Sequence, residues 1–194
     1  MTPKQTRLLN SRTARPVHLT RMGFGGAPLG NLYRVLTEED AHAALMSAYD
    51  AGIRYFDTAP QYGLGISEMR FGRAIAEFGR DNIVLSTKAG RVLVDCEPHE
   101  VTPESFVGVP QKRIVFDYTY DGIMRSLEDS KARLGVDRVD ILYLHDIDAD
   151  THGSAEAERE KLKELFDGGG YRALTELREA GEIIAFGAGV NNWQ

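Results

Sequence analysis

Four side chains in this sequence have the types and positions to move a proton. Asp57, Tyr62, Lys88 and His145 each stand at, or just past, the end of an apolar run. Ile53-Arg54-Tyr55-Phe56 closes on Asp57, and the Pro60-Gln61-Tyr62-Gly63 loop behind it carries the tyrosine; Ile83-Val84-Leu85-Ser86-Thr87 closes on Lys88; Val139-Asp140-Ile141-Leu142-Tyr143-Leu144 closes on His145. A free tyrosine has a pKa of roughly 10, too high to exchange protons well near neutrality. An ammonium beside it favours the phenolate, and a carboxylate beside the ammonium keeps that group charged and in place. A histidine at the same mouth can orient a substrate oxygen by hydrogen bonding. The set therefore reads as a proton-transfer site: Tyr62 moves the proton, Lys88 tunes it, Asp57 holds the lysine and His145 orients the reacting oxygen.

Such a site needs elements that bring the four tips to one place. Short apolar runs bounded by turn signals read as buried strands, and side chains at the carboxyl ends of parallel strands converge on one face of a barrel. The intervening segments read as helices. Thr37 caps Glu38–Asp50, with acids in the first turn and Gly52 beyond its end; Ser67 opens a helix through Phe78, stopped by Gly79; Asp121–Leu134 stops at Gly135. Glu156–Phe166 and Tyr171–Ala180 follow, broken at Gly168-Gly169-Gly170, and Ile183–Val190 is a fifth strand. His18–Phe24 is expected as the first strand, residues 91–116 as a long irregular connection, and Lys131 as a charged residue on an otherwise apolar helix face, snorkelling to solvent. The alternation predicts an α/β fold of the (β/α)8 TIM-barrel type with about five βα units, incomplete against the roughly 250 residues of a whole barrel.

The motifs Phe56-Asp57-Thr58-Ala59 with Tyr62-Gly63, then Ser67-Glu68, Ser86-Thr87-Lys88 and Leu144-His145, resemble the aldo/keto reductase signature in order and spacing. The resemblance runs from about Met22 to the end. Gly25–Leu32, Asp117–Gly122 with Arg125–Ser130, and Gly189–Gln194 resemble a narrower branch, the D-threo-aldose 1-dehydrogenase and pyridoxal 4-dehydrogenase group. It implies NAD(P)-dependent hydride transfer between a nicotinamide and an aldose or aldehyde, sugar to lactone, with NADP or NAD as cofactor and the four tip residues in the roles above. It further implies that Asn191 and Asn192 hydrogen-bond the nicotinamide carboxamide, and that residues 1–194 are the N-terminal portion of one barrel domain, with 1–22 an N-terminal hairpin or arm.

The turn Gly25-Gly26-Ala27-Pro28-Leu29-Gly30 is not a dinucleotide fingerprint: from Gly23 it runs G-x-G-x-x-P, without the third glycine. Two readings stay open for it. Gly26 and Ala27, with Asp57 nearby, let a cofactor approach the backbone closely, or the segment is a plain strand-to-loop turn.

Composition narrows the function classes. A formal net charge of -6, from 29 acidic and 23 basic side chains, argues against nucleic acid as a partner. No apolar run reaches the roughly 20 residues of a membrane span, and the lone Cys96 excludes an internal disulfide and suits a reducing, cytoplasmic setting. The acid-free, arginine-bearing first 37 residues suit a transit peptide in composition, but a hairpin before the first strand explains them better. The stretch His145-Asp146-Ile147-Asp148-Ala149-Asp150-Thr151-His152 raises metal-assisted hydrolysis as a rival. It lacks the turn glycine and the terminal bidentate glutamate of a calcium loop, so no metal site is expected. A second alternative is a truncated, catalytically silent half-barrel that self-associates through open edges.

Overall fold

The computed structural model describes residues 5–9 and 16–192. An antiparallel hairpin, β1 (Thr6–Leu9) and β2 (Val17–Thr20), precedes the main sheet. Its last residue ties it to that sheet: Thr20 Oγ1 accepts from the N–H groups of Arg54 (3.1 Å) and Tyr55 (3.2 Å) and donates to Met22 O. The expected strand His18–Phe24 is thereby split. Thr20 ends the hairpin, the chain bends, and β3 (Gly23–Gly25) begins the parallel sheet.

That sheet has five strands in sequential order: β3, β4 (Tyr55–Asp57), β5 (Val84–Ala89), β8 (Ile141–His145) and β9 (Ala185–Gly189). Helices α1 (Glu38–Asp50), α2 (Ile66–Phe78), α3 (Tyr120–Leu134), α4 (Ala149–His152), α5 (Ala155–Phe166) and α6 (Gly170–Glu179) supply the crossovers. Their starts follow local chemistry. Thr37 Oγ1 accepts from Asp40 N and Thr119 Oγ1 from Gly122 N, satisfying amides that the first turn leaves free, while Glu38, Glu39 and Asp40 complement the helix dipole.

Strand periodicity separates the two faces of the sheet. Phe56, Leu85 and Leu142 point outward into a core completed by Leu45, Phe71, Phe78, Leu127 and Leu174, all buried. Burying each such side chain contributes roughly 1.5–3 kcal/mol. The alternate residues Tyr55, Asp57, Ser86, Lys88, Tyr143 and His145 take the other face, where Tyr55 and Tyr143 share a hydroxyl contact of 3.1 Å and Ser86 Oγ donates to Asp57.

Two further segments differ from expectation. Residues 91–116 hold an antiparallel ribbon, β6 (Arg91–Asp95) and β7 (Lys112–Phe116), in which Val92 opposes Val115 and Leu93 opposes Ile114. The two strands are separated by sixteen residues with no short turn signal, so only their apolar cross-strand pairing reveals the ribbon. Lys131 does not run to open solvent but lies between Glu128 (3.0 Å) and Glu182 (3.5 Å), partly buried.

The loops carrying the chemistry are held by α2. Ser67 Oγ donates to Gly26 O (2.8 Å) and contacts Thr58 Oγ1 (2.9 Å). Fully buried Glu68 accepts from Thr87 Oγ1 on β5 (2.7 Å) and from Arg133 Nε on α3 (2.6 Å). Backbone meets backbone at Gly30 and Gly63: a Cβ on either would sit inside the other's main chain, and Gly63 has φ 68. That contact fixes the loop bearing Tyr62.

Gly135, at φ 64 past the end of α3, also has a left-handed backbone, but a Cβ there meets nothing within 4 Å. Gly135→Ala should therefore cost about 1 kcal/mol of conformational strain. Gly63→Ala adds overpacking to that strain and should cost about 3 kcal/mol. Urea denaturation of the two variants measures both; equal losses would show that the Gly30–Gly63 contact imposes no constraint.

Candidate active site

The register of the sheet brings the strand tips together. Asp57 on β4 pairs with Ser86 on β5, Lys88 with Tyr143 on β8, and His145 with Gly189 on β9. Lys88 Nζ donates to Asp57 Oδ2 at 2.7 Å and to Thr58 O at 3.0 Å, and it lies 4.7 Å from the centroid of the Tyr62 ring. Tyr62 is half-buried, edge-on to the imidazole of His145 with ring centroids 5.8 Å apart. Asp57, Tyr62, Lys88 and His145 thus form one cluster.

Burial alone would lower the pKa of Lys88, but the Asp57 carboxylate and then Tyr62 outweigh it and raise the value. The ammonium is held as a charge inside the sheet. His145 is only 4% exposed. Burial first, then the positive charges of Lys88 and Arg91, hold its pKa well below the ordinary histidine range. Its Nε2 lies 3.3 Å from Asp146 Oδ2, and because the ring is neutral this is a polar contact rather than an ion pair. Its Nδ1 is buried with no hydrogen-bond partner.

A cavity of about 420 Å³ opens over the cluster. Tyr62, Lys88 and His145 line it together with Gln61, Arg91, Glu104, Asp146, Thr151, Gly189, Val190 and Asn191; only Gly189 and Val190 of these lack a polar side chain. Asn191 lines the wall at the tip of β9, its Nδ2 at 3.4 Å from Asp146 Oδ1, and Asn192 beside it is exposed. Asp57 sits beneath Lys88 rather than in the lining.

Gly26 and Ala27 do not reach this cavity. The Gly26 N–H donates to Asp57 O at 2.8 Å, its carbonyl accepts from Ser67, and an added Cβ would lie 2.6 Å from Phe71 Cε2. Internal packing accounts for this glycine, which supports the plain-turn reading.

Several polar residues of the site escape a reading of the sequence. Arg91, just past the β5 tip, is 4% exposed and bridges Glu104 Oε1 and Asp146 Oδ2, each at 2.7 Å. Asp146 follows His145 with φ 50 and donates its N–H to Gly189 O. Burial pushes its carboxyl up, against the pull of Arg91, with which it pairs. The sequence offers one hint, the acid immediately following His145, and that hint points equally to a metal. Among the described residues no group of three or more His, Cys, Asp or Glu side chains is arranged to hold a metal ion. Among those residues, too, no helix is long and apolar enough to cross a membrane.

Comparison with known proteins adds an independent line. The model of the aldo/keto reductase family matches residues 21–194. The chain is 44% identical over 185 residues to pyridoxal 4-dehydrogenase of Microbacterium luteolum, covering 91% of this chain and 53% of that protein. It is 42% identical over 172 residues to D-threo-aldose 1-dehydrogenase of a Pseudomonas species, covering 87% and 49%. It spans about half the length of each. Among solved structures, a glycerol dehydrogenase from Gluconobacter oxydans superposes with a TM-score of 0.66 at 26% identity, over 97% of this chain and 49% of that one.

The buried pair at the base of the site should be energetically coupled. Lys88→Met and Asp57→Asn each leave one charge without its partner and should each cost about 3 kcal/mol, whereas the double variant should cost clearly less than the sum. Chemical denaturation of the four proteins gives the coupling, and simple additivity would contradict the pairing. The depressed His145 value has a sign as well. The unfolded chain takes up the imidazole proton before the folded one does, so stability is lost as pH falls below about 6.5. Nitrogen-15 NMR should find the His145 ring neutral at pH 6; a midpoint near 6.5 would contradict its burial among cations.

Proposed function

The chain belongs to the aldo/keto reductase family, and from that premise we propose that it carries the proton-transfer site of an NAD(P)-dependent oxidoreductase acting on an aldose, oxidised at its anomeric carbon to a lactone. One observation carries the reading: Tyr62, Lys88, Asp57 and His145 meet at the carboxyl ends of three adjacent parallel strands, beneath a cavity large enough for a monosaccharide. The names of the similar proteins support a carbonyl substrate of the aldose or aldehyde class, since one is an aldose dehydrogenase and another a pyridoxal dehydrogenase.

A nicotinamide, NADP or NAD, supplies the hydride acceptor or donor when bound. The residues present fit its amide end: Asn191 and Asn192 are amide side chains exposed just past the end of β9, with Asn191 in the cavity wall. These two would hold the carboxamide.

The chain's own residues handle the proton. Tyr62 takes the proton from the sugar hydroxyl as the carbon is oxidised and returns it to the carbonyl oxygen in the reverse direction. The Lys88 ammonium, 4.7 Å from the ring centroid, stabilises the negative charge that develops on the phenolic oxygen. Asp57 keeps that ammonium in place from below. His145, neutral, directs a ring nitrogen at the reacting oxygen without adding a charge that would repel Lys88.

Tyr62→Phe should lower turnover by roughly 10²–10⁴-fold, the usual contribution of a general acid–base group. Nucleotide binding should stay nearly intact, because the phenol acts on the substrate oxygen alone. Steady-state kinetics with an aldose, together with NADPH fluorescence titration, checks both parts. Turnover within a few-fold of the unsubstituted protein would remove Tyr62 as the proton-transfer group.

A further inference from the structure

The ribbon β6–β7 is an insertion between β5 and α3 that brings a carboxylate to the cavity. Its connecting segment is strapped to the loop after β3 by the bonds Tyr33 N–H to Ser105 O (2.9 Å) and Val107 N–H to Asn31 O (3.1 Å), with a bridge between Leu32 and Phe106. Phe106 is buried, its ring 6.1 Å from that of Tyr62. The strap sets Glu104 beside the proton-transfer group, with the backbone at φ 49 in a region that non-glycine residues rarely adopt. Strain of this kind persists where surrounding contacts over-determine it, and it clusters at binding sites.

Glu104 is held from two sides. Arg91 Nη1 donates to Oε1, and Gln61 Nε2 donates to Oε2. Arg91 is itself fixed by Asp146 on the far side and by the face of Phe116, 4.9 Å from its Cζ. Its Nε, buried, has no hydrogen-bond partner. Yet the Glu104 side chain stays 44% exposed, in the cavity wall. A carboxylate oxygen offers two acceptor positions, so each Glu104 oxygen keeps one available after these contacts.

A wall of guanidinium, carboxylates and amide suits a ligand whose groups both donate and accept along their length, as the hydroxyls of a sugar do. It suits an apolar chain poorly, since an apolar occupant would strip water from the exposed Glu104 oxygens and leave their remaining acceptor positions unfilled.

We propose that Glu104, braced by Arg91 and Gln61, is the specificity-determining residue that selects polyhydroxylated carbonyl substrates by accepting a hydrogen bond from a sugar hydroxyl. This rests on the oxidoreductase reading above. Arg91 and Gln61 act through Glu104 and are positioning residues.

The test compares an aldohexose with hexanal, which has the same carbon count and no hydroxyls, in the unsubstituted protein, Glu104→Ala and Glu104→Gln. The ratio of kcat/KM for the aldohexose to that for hexanal should fall about 30- to 100-fold in Glu104→Ala, chiefly through KM for the sugar. Glu104→Gln, which keeps an acceptor oxygen, should recover part of the ratio. Calorimetric binding of the aldohexose, which needs no turnover, should weaken in the same order. A ratio that stays constant while both substrates lose equally would make Glu104 a structural brace and overturn the proposal, as would unchanged sugar binding. If the unsubstituted protein turns over neither substrate, the oxidoreductase reading fails, and the binding series still decides whether Glu104 recognises the hydroxyls.

Discussion

Lys88 is only 7% exposed, so its ammonium must be paired, and most of this structure follows from how that is done. An isolated buried charge costs several kcal/mol, and attraction to a partner offsets that only when geometry is good and the remaining hydrogen-bonding capacity is filled. Asp57 supplies the charge at 2.7 Å, Thr58 O takes a second ammonium proton, and Ser86 occupies the other carboxylate oxygen. These groups come from two neighbouring strands, so the pair works only in the observed parallel register. Slipping either strand by one residue would turn Lys88 or Asp57 into the apolar layer beneath the helices.

The sheet is therefore two-faced in an uncommon way. Its outer face is a conventional core of Phe56, Leu85 and Leu142 under the helices, and its inner face is polar, from Tyr55 and Tyr143 up to the ion pair and His145. The outer face supplies the stability that lets the inner face hold groups chosen for chemistry. Helix α2 links the two, because Ser67 and Glu68 sit on its first turn and reach the β3 loop, Thr87 and Arg133. The signature Ser-Glu pair thus acts as a brace that sets where the Tyr62 loop and the Lys88 strand lie relative to one another.

Much of this was legible in the sequence where a residue's role is local. Short apolar runs bounded by turn signals and the cap at Thr37 announce strands and helices, and a charged group closing an apolar run has no packing purpose, which is why Lys88 and His145 stand out. Roles that depend on distant partners were not legible. Nothing around Arg91 announces that Glu104 and Asp146 will enclose it, because thirteen and fifty-five residues respectively separate the partners. Gly26 was ambiguous for the same reason: the sequence left a ligand approach and a plain turn both open, and only the fold brings Phe71 and Ser67 against it. The acidic segment after His145 divides the same way: Asp148 caps the short α4 and Asp146 pairs with Arg91, so two apparent metal ligands have structural partners.

The central claim is that the reacting oxygen of an aldose sits between the Tyr62 hydroxyl and the His145 ring. A crystal structure of the protein with bound aldose tests it directly. The account predicts the anomeric oxygen within about 2.6–3.2 Å of both the Tyr62 hydroxyl and a His145 nitrogen, the reach of a proton-transfer contact. A sugar bound with that oxygen away from Tyr62 would contradict it.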